Sequence, residues 1–161
     1  MTFKGKVVLI TGATRGIGYA IAHKFGQKGA FVIGTGTTLA GVAQLAADFK
    51  TAGIEGEAIR LDVTDRQAIE TFVSQWTEEK RAPSILVNNA GITADNLLLR
   101  MEEDEWYRVI EANLNAVYRV TKACIKPMFR ARWGRVISVS SVVSMSGNAG
   151  QANYTAAKAG V

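Results

Sequence analysis

The 161-residue sequence predicts an α/β protein built on a doubly wound parallel sheet. Three observations carry that expectation. Five short apolar runs alternate with stretches of helical periodicity, and no hairpin signal interrupts the alternation. A glycine-rich octet, Thr11-Gly-Ala-Thr-Arg-Gly-Ile-Gly18, stands at the first strand-to-helix junction. A chain of this length buries roughly 70% of its unfolded surface, so one core suffices without disulfide or metal.

Lys6–Thr11 reads as a strand covered on both faces, because its apolar run is continuous rather than alternating. A helix follows from about Gly16 to Lys28, with Ile17, Ile21 and Phe25 on one stripe and His23 turned away toward the surface. The second strand is expected over Ala30–Thr35 and its helix over Thr38–Ala52; a third strand covers about Glu57–Val63. Thr64-Asp65 then supplies capping oxygens for the next helix. Ser84–Asn88 is the fourth strand. A long helix opens near Glu102, whose acidic first turn complements the helix dipole. Trp106, Ile110, Val117, Val120 and Cys124 recur along it at helical spacing, which makes Cys124 a small buried hydrophobe. Arg135–Ser140 is the fifth strand, Ser144–Gly150 a polar loop, and a final helix of about two turns closes the sequence.

Composition narrows the function. Apolar residues make up 48% and charged residues 20%, which excludes disorder. One cysteine excludes an internal disulfide and a cysteine-based zinc cluster, and one histidine leaves no His-rich metal site and no obvious Ser-His-Asp hydrolase, so no metal site is expected. The longest early apolar run, Val7–Ile10, is too short for a signal peptide or a membrane span, so a cytoplasmic location is expected. Charge is strongly segregated. Residues 1–47 and 112–161 contain no acid, whereas all fourteen acids fall between 48 and 111. The bases are dispersed singly, which argues against nucleic acid and for phosphates or an acidic partner.

Glycines 12, 16 and 18 of the octet let the backbone turn and approach a pyrophosphate at a helix N-terminus, with Thr14, Arg15 and Ile17 between them. An NAD site usually places an acid at the end of the second strand. Here that position reads Gly34-Thr-Gly-Thr-Thr38, and the first acid of the chain is Asp48. With Arg15 in the loop and Thr37 and Thr38 as further donors, this favours NADPH over NADH. Tyr154 and Lys158, four apart, share one helix face. A nearby ammonium stabilises charge on a phenol oxygen and makes it a readier proton donor. Ser141 closes the fifth strand thirteen residues before Tyr154, at the sheet edge where such folds bind ligands, and can hydrogen-bond a substrate carbonyl.

With these motifs together, the sequence resembles the short-chain dehydrogenase/reductase family, and within it the 3-oxoacyl-(acyl-carrier-protein) reductases. The resemblance rests on Thr11–Gly18, Leu61-Asp-Val63, Asn88-Asn-Ala-Gly91, Asn113, Ser140-Ser-Val-Val143 and Gly150-Gln-Ala-Asn-Tyr154 through Lys158. It implies a Rossmann-like sheet of order 3-2-1-4-5 and a single dinucleotide-binding domain over residues 1–161. It also implies NADPH-dependent reduction of a β-keto group in fatty-acid synthesis. Tyr154 would be the proton donor and also a cofactor contact, Lys158 the ribose anchor, Ser141 the carbonyl partner and Asn113 the anchor of a water relay. Asp62 and Val63 would form the adenine pocket, and Asn88, Ala90 and Gly91 would line the cofactor. Arg132 would help dock acidic acyl carrier protein. Family members are homo-oligomers, usually tetramers, and continue past this point with further strands and helices. The chain is therefore expected to be a piece of a longer reductase. Two alternatives stay open: an alcohol dehydrogenase of the same superfamily acting on a sugar, steroid or small ketone, and a non-catalytic nucleotide-binding fragment.

Overall fold

The computed structural model describes residues 2–79 and 81–161. Its elements are β1 (Val7–Ile10), α1 (Gly16–Gly26), β2 (Phe31–Gly36), α2 (Leu39–Thr51), β3 (Gly56–Arg60), α3 (Arg66–Glu78) and β4 (Ile85–Asn88). After a 3₁₀ turn (Leu98–Arg100) come α4 (Glu103–Ile110), a π turn (Glu111–Asn115), α5 (Ala116–Arg130), β5 (Arg135–Ser138), α6 (Val143–Ser146) and α7 (Ala152–Gly160). The five strands form one sheet in the order β3-β2-β1-β4-β5 with every pairing parallel, as the sequence predicts.

Successive residues of the central strands point to opposite faces, and each face has its own core. Leu9, Ile33 and Leu86 join Ile69, Phe72, Trp76, Val120 and Cys124 beneath α3 and α5. Val8, Ile10, Val32, Ile85 and Val87 join Ala22, Leu45 and Phe49 beneath α1 and α2. Burial on both faces is the reason the central strands β1 and β4 read as apolar runs, whereas the edge strands β3 and β5 are exposed or partly exposed. Cys124 is fully buried, and that burial pushes its thiol up to about 12. Caps sit where expected: Thr38 Oγ1 accepts from Gly41 N at 3.2 Å and Asp65 Oδ1 from Ala68 N at 2.9 Å.

Several expectations need correction. The inner face of α1 is Gly18 and Ala22, not the stripe of Ile17, Ile21 and Phe25. Small residues let the helix lie close to the sheet, while Ile21 and Phe25 pack at its margin. Ile17 is 64% exposed. His23 is not a surface side chain: its ring lies 4.2 Å from that of Tyr19 and 5.9 Å from that of Phe49, and Nε2 is buried. It is pinned there because α2 brings Phe49 against α1. Val143–Ser146 forms a short helix that takes up the start of the predicted polar loop, Ser144–Gly150.

The long helix is also not uniform. It buries Val109, Ala112, Ala116, Val120, Cys124 and Met128 and breaks into a π turn in the middle. There the amide of Ala116 reaches back five residues to Glu111 O. Glu111 staples the turn, pairing with Arg119 and accepting from Asn115 Nδ2 at 2.7 Å. The Arg119 guanidinium holds the Glu111 carboxyl below the usual carboxylate range.

At its other end, α5 closes in a Schellman motif. Trp133 N donates to Met128 O at 3.1 Å and Arg132 N to Phe129 O at 3.0 Å. The residue that must be left-handed there is Arg132, at φ 50°, where glycine is ordinarily found. A left-handed non-glycine residue costs about 1–2 kcal/mol. Arg132→Gly is therefore expected to raise stability by about 1 kcal/mol in denaturant unfolding. A loss of stability would mean that the arginine side chain supports the fold.

Candidate active site

The carboxyl ends of β1, β2, β3 and β4 open onto a cleft of about 840 Å³. Its walls include Gly12, Thr14, Arg15, Gly16, Ile17, Thr37, Asp62, Val63, Ala90 and Gly91, all expected from the sequence. Thr11 joins the strand ends beneath it. Its hydroxyl donates to Val87 O at 3.4 Å and accepts from the amides of Asn89 and Ala90, both at 3.0 Å.

Each glycine of the octet has its own reason. Gly12 is left-handed, φ 66°, and a Cβ there would stand 2.9 Å from Ala90 Cα. Gly16, φ 59°, faces open space. Gly18 is buried under the loop, where a Cβ would stand 2.3 Å from Gly12 O and 2.4 Å from Asn89 Nδ2. The N-terminus of α1 has no side-chain cap and no acid in its first turn, so its free amides suit a phosphate group. A dinucleotide fits this glycine-lined cradle. On the β3 side of the cleft, Asp62 Oδ1 accepts from Thr64 N at 2.9 Å and Thr64 Oγ1 at 2.8 Å, leaving its other oxygen without these bonds. At the end of β2, Thr37 is exposed and Thr38 serves as the cap of α2.

Asn88 stands apart from the cleft. Its buried amide donates to Thr121 Oγ1 at 3.0 Å and Ser138 Oγ at 3.4 Å, tying β4 to α5 and β5. Its neighbour Asn89, which sequence reasoning passed over, lines the cleft and donates to Thr11 O and Gly12 O, both at 3.0 Å. In an Asn-Asn pair closing a strand, the alternation of side chains sends one to the core and the other to the loop, and the strand's phase decides which. Ile92, directly after Gly91, also lines the cleft, as do Arg108 of α4 and Ala112 of the π turn, which reach it only through tertiary packing.

Beside Gly91 the cleft meets the second group of residues. A Cβ on Gly91 would lie 2.4 Å from Asn113 Oδ1 and 3.6 Å from Lys158 Nζ. Asn113, in the π turn, is 0% exposed. Its Nδ2 donates to Ile92 O at 2.8 Å and Val109 O at 2.9 Å, and Oδ1 is buried without a partner. Lys158 is 5% exposed; Nζ donates to Val139 O at 3.0 Å and lies 5.7 Å from the centre of the Tyr154 ring. Ser140 Oγ donates to Lys158 O at 2.9 Å, so that hydroxyl is committed to the backbone. Ser141 Oγ has only a long contact, accepting from Val143 N at 3.4 Å. Asn153 is buried and holds the start of α7: Nδ2 donates to Ala94 O and Glu105 O, and Oδ1 accepts from Tyr154 N at 2.7 Å. Among the described residues no group of His, Cys, Asp and Glu is placed to hold a metal ion.

Burial lowers the Lys158 pKa from the usual lysine value of 10.5. The folded chain therefore holds this proton less tightly than the unfolded chain. The penalty for burying the ammonium is full below the folded-state pKa and is lifted as pH rises from there toward 10.5. Lys158→Met is expected to leave thermal stability at pH 7 unchanged or raised by about 1 kcal/mol. A loss above about 1 kcal/mol would show the ammonium to be net stabilising.

The family model described as short chain dehydrogenase matches residues 6–161. Over all 161 residues the chain is 50% identical to 3-oxoacyl-(acyl-carrier-protein) reductase FabG of Pseudomonas aeruginosa. It is 51% identical over the same length to the protein of that name from Vibrio cholerae. The chain spans 65% of the length of each of these relatives. A crystal structure of a chain assigned as a gluconate dehydrogenase from Agrobacterium tumefaciens superimposes with a TM-score of 0.96 at 33% identity. That match covers 99% of this chain and 63% of the other.

Proposed function

Since the chain belongs to the short-chain dehydrogenase family, we propose that it serves NADPH-dependent reduction of 3-oxoacyl thioesters carried on acyl carrier protein. The observation that carries the reading is the meeting, at Gly91, of an acid-poor phosphate cleft with the Asn113, Lys158 and Tyr154 group. Identities of 50–51% to reductases of that name support the substrate.

A bound reduced nicotinamide supplies the hydride. The chain's residues manage the oxygen. Ser141, whose hydroxyl proton is uncommitted, donates a hydrogen bond to the keto oxygen, and the Tyr154 phenol passes its proton to the same atom. The Lys158 charge stabilises the phenolate left behind and binds the ribose hydroxyls. The unpartnered Oδ1 of Asn113 accepts from a water that returns a proton toward Lys158. Gly12, Thr14, Arg15, Gly16, Ile17 and Gly18 hold the pyrophosphate, while Arg15 and Thr37 receive the 2′-phosphate. Asp62 and Val63 hold the adenine, and Ala90 and Gly91 form the floor beside the nicotinamide. Asn88 acts by fixing the strand ends.

Arg132, exposed and conformationally costly, is assigned to the docking of the acidic carrier protein. The exposed Tyr107, Tyr118 and Phe129 of α4 and α5 are assigned to contacts between copies in a tetramer. Among the described residues no helix is long and apolar enough to cross a membrane, and we place the protein in the cytoplasm with residues 1–161 as one dinucleotide-binding domain.

The test is NADPH oxidation followed with acetoacetyl thioester and, in parallel, with a keto sugar acid. Faster turnover of the thioester supports the proposal. Preference for the sugar acid would move the protein toward the gluconate dehydrogenase reading, and cofactor binding without turnover of either would make it a nucleotide-binding module.

A further inference from the structure

We infer that Arg60 is a specificity-determining residue for the 2′-phosphate of the dinucleotide, fixing the Thr37 segment and presenting a second guanidinium beside Arg15. The inference rests on the NADPH reading above. Arg60 ends β3 in register with Gly36, the last residue of β2, so it stands at the strand end where the cofactor's ribose is read. Its Nε donates to Thr37 O at 3.1 Å, which anchors the guanidinium one residue past that end. Thr37 and Arg15 both wall the cleft.

Unlike Arg66, Arg81 and Arg119, each paired with a glutamate, Arg60 has no carboxylate partner among the described residues. Asp62, two residues on, turns one carboxylate oxygen to Thr64 instead. With Nε committed, the two terminal nitrogens remain for an anion, and a phosphate dianion matches a guanidinium better than any neutral ribose hydroxyl does. Gly36 leaves room for Thr14, since a Cβ there would stand 2.3 Å from Thr14 Cγ2, and Ala13 N donates to Thr35 O at 2.7 Å. The glycine-rich loop thereby packs directly against the end of β2, the strand that Arg60 pairs with.

The experiment is isothermal titration of the protein with 2′,5′-ADP and with ADP, for wild type, Arg60→Met and Arg60→Lys. Wild type is expected to bind 2′,5′-ADP more tightly. Arg60→Met should weaken 2′,5′-ADP by about tenfold or more while changing ADP less than about twofold, and Arg60→Lys should recover part of the loss. No loss, or an equal loss for both ligands, would reduce Arg60 to a loop staple and overturn the inference. If wild type itself fails to distinguish the two ligands, the NADPH reading falls and this one with it.

Discussion

Tyr154→Phe is expected to lower turnover of a keto thioester by about 10²–10⁴-fold while leaving NADPH affinity within about twofold of wild type. The substitution removes one oxygen. The ring keeps its place because the start of α7 is held by the backbone: Asn153 Oδ1 accepts the Tyr154 amide at 2.7 Å and its Nδ2 grips Ala94 O and Glu105 O. The substitution leaves the glycine-lined cleft and the Lys158 ammonium untouched, so little change in cofactor binding is expected. Lost with the oxygen is the only acidic proton on the face shared with Lys158. Steady-state kinetics paired with fluorescence titration of NADPH separates the two effects. Turnover within tenfold of wild type would remove Tyr154 from the chemistry, and a parallel loss of cofactor affinity would make it a packing residue instead.

The second large effect is expected from Gly18→Ala. An added methyl at this position meets a backbone oxygen at 2.3 Å and the Asn89 amide at 2.4 Å. Neither can withdraw cheaply. Gly12 is held between Thr11 and the close approach of Ala90, and Asn89 Nδ2 already donates to Thr11 O and Gly12 O. The methyl must lift the start of α1 away from the loop, separating the first-turn amides from the site they share with Arg15. Overpacking of this kind costs about 1–3 kcal/mol. In a protein of this size that lowers the thermal midpoint by about 2–4 °C per kcal/mol. A fall in NADPH affinity of about tenfold or more should accompany it. Unchanged calorimetric and binding curves would mean that the loop is not rigid and that Gly18 is free to vary.

Much of this architecture is legible without coordinates, because the signals are local. A strand buried on both faces must be apolar along its length, and Val7–Ile10 and Ile85–Val87 read that way. The uncapped, acid-free opening of α1 is visible as a glycine octet with a single arginine. Tyr154 and Lys158 are four apart on one helix, and that spacing alone places them together. The absence of any acid before Asp48 speaks about charge whatever the fold.

Other features depend on neighbours distant in the sequence. His23 sits half-buried because α2 delivers Phe49 against it, and no periodicity within α1 contains that information. Whether Ile17 or Gly18 faces the sheet depends on how closely α1 approaches it, which the small residues permit but do not announce. The π turn around Asn113 is stapled by Glu111, Asn115 and Arg119 across two helical turns, and a regular helix accommodates the same residues on paper. Arg60 carries no motif at all, and its relation to Thr37 exists only because β2 and β3 end side by side.

The sequence by itself determined the alternation of strands and helices, the glycine-rich loop at the first strand-to-helix junction and the placing of Tyr154 and Lys158 on one helix face, since each follows from side-chain chemistry at short spacing. The tertiary structure alone decided that Asn89 rather than Asn88 holds the loop, that Asn113 and Lys158 converge on Gly91, and that Arg60 meets Thr37 where β2 and β3 end. Those outcomes depend on the phase and register with which separate elements pack, and no stretch of chain shorter than the sheet itself carries them.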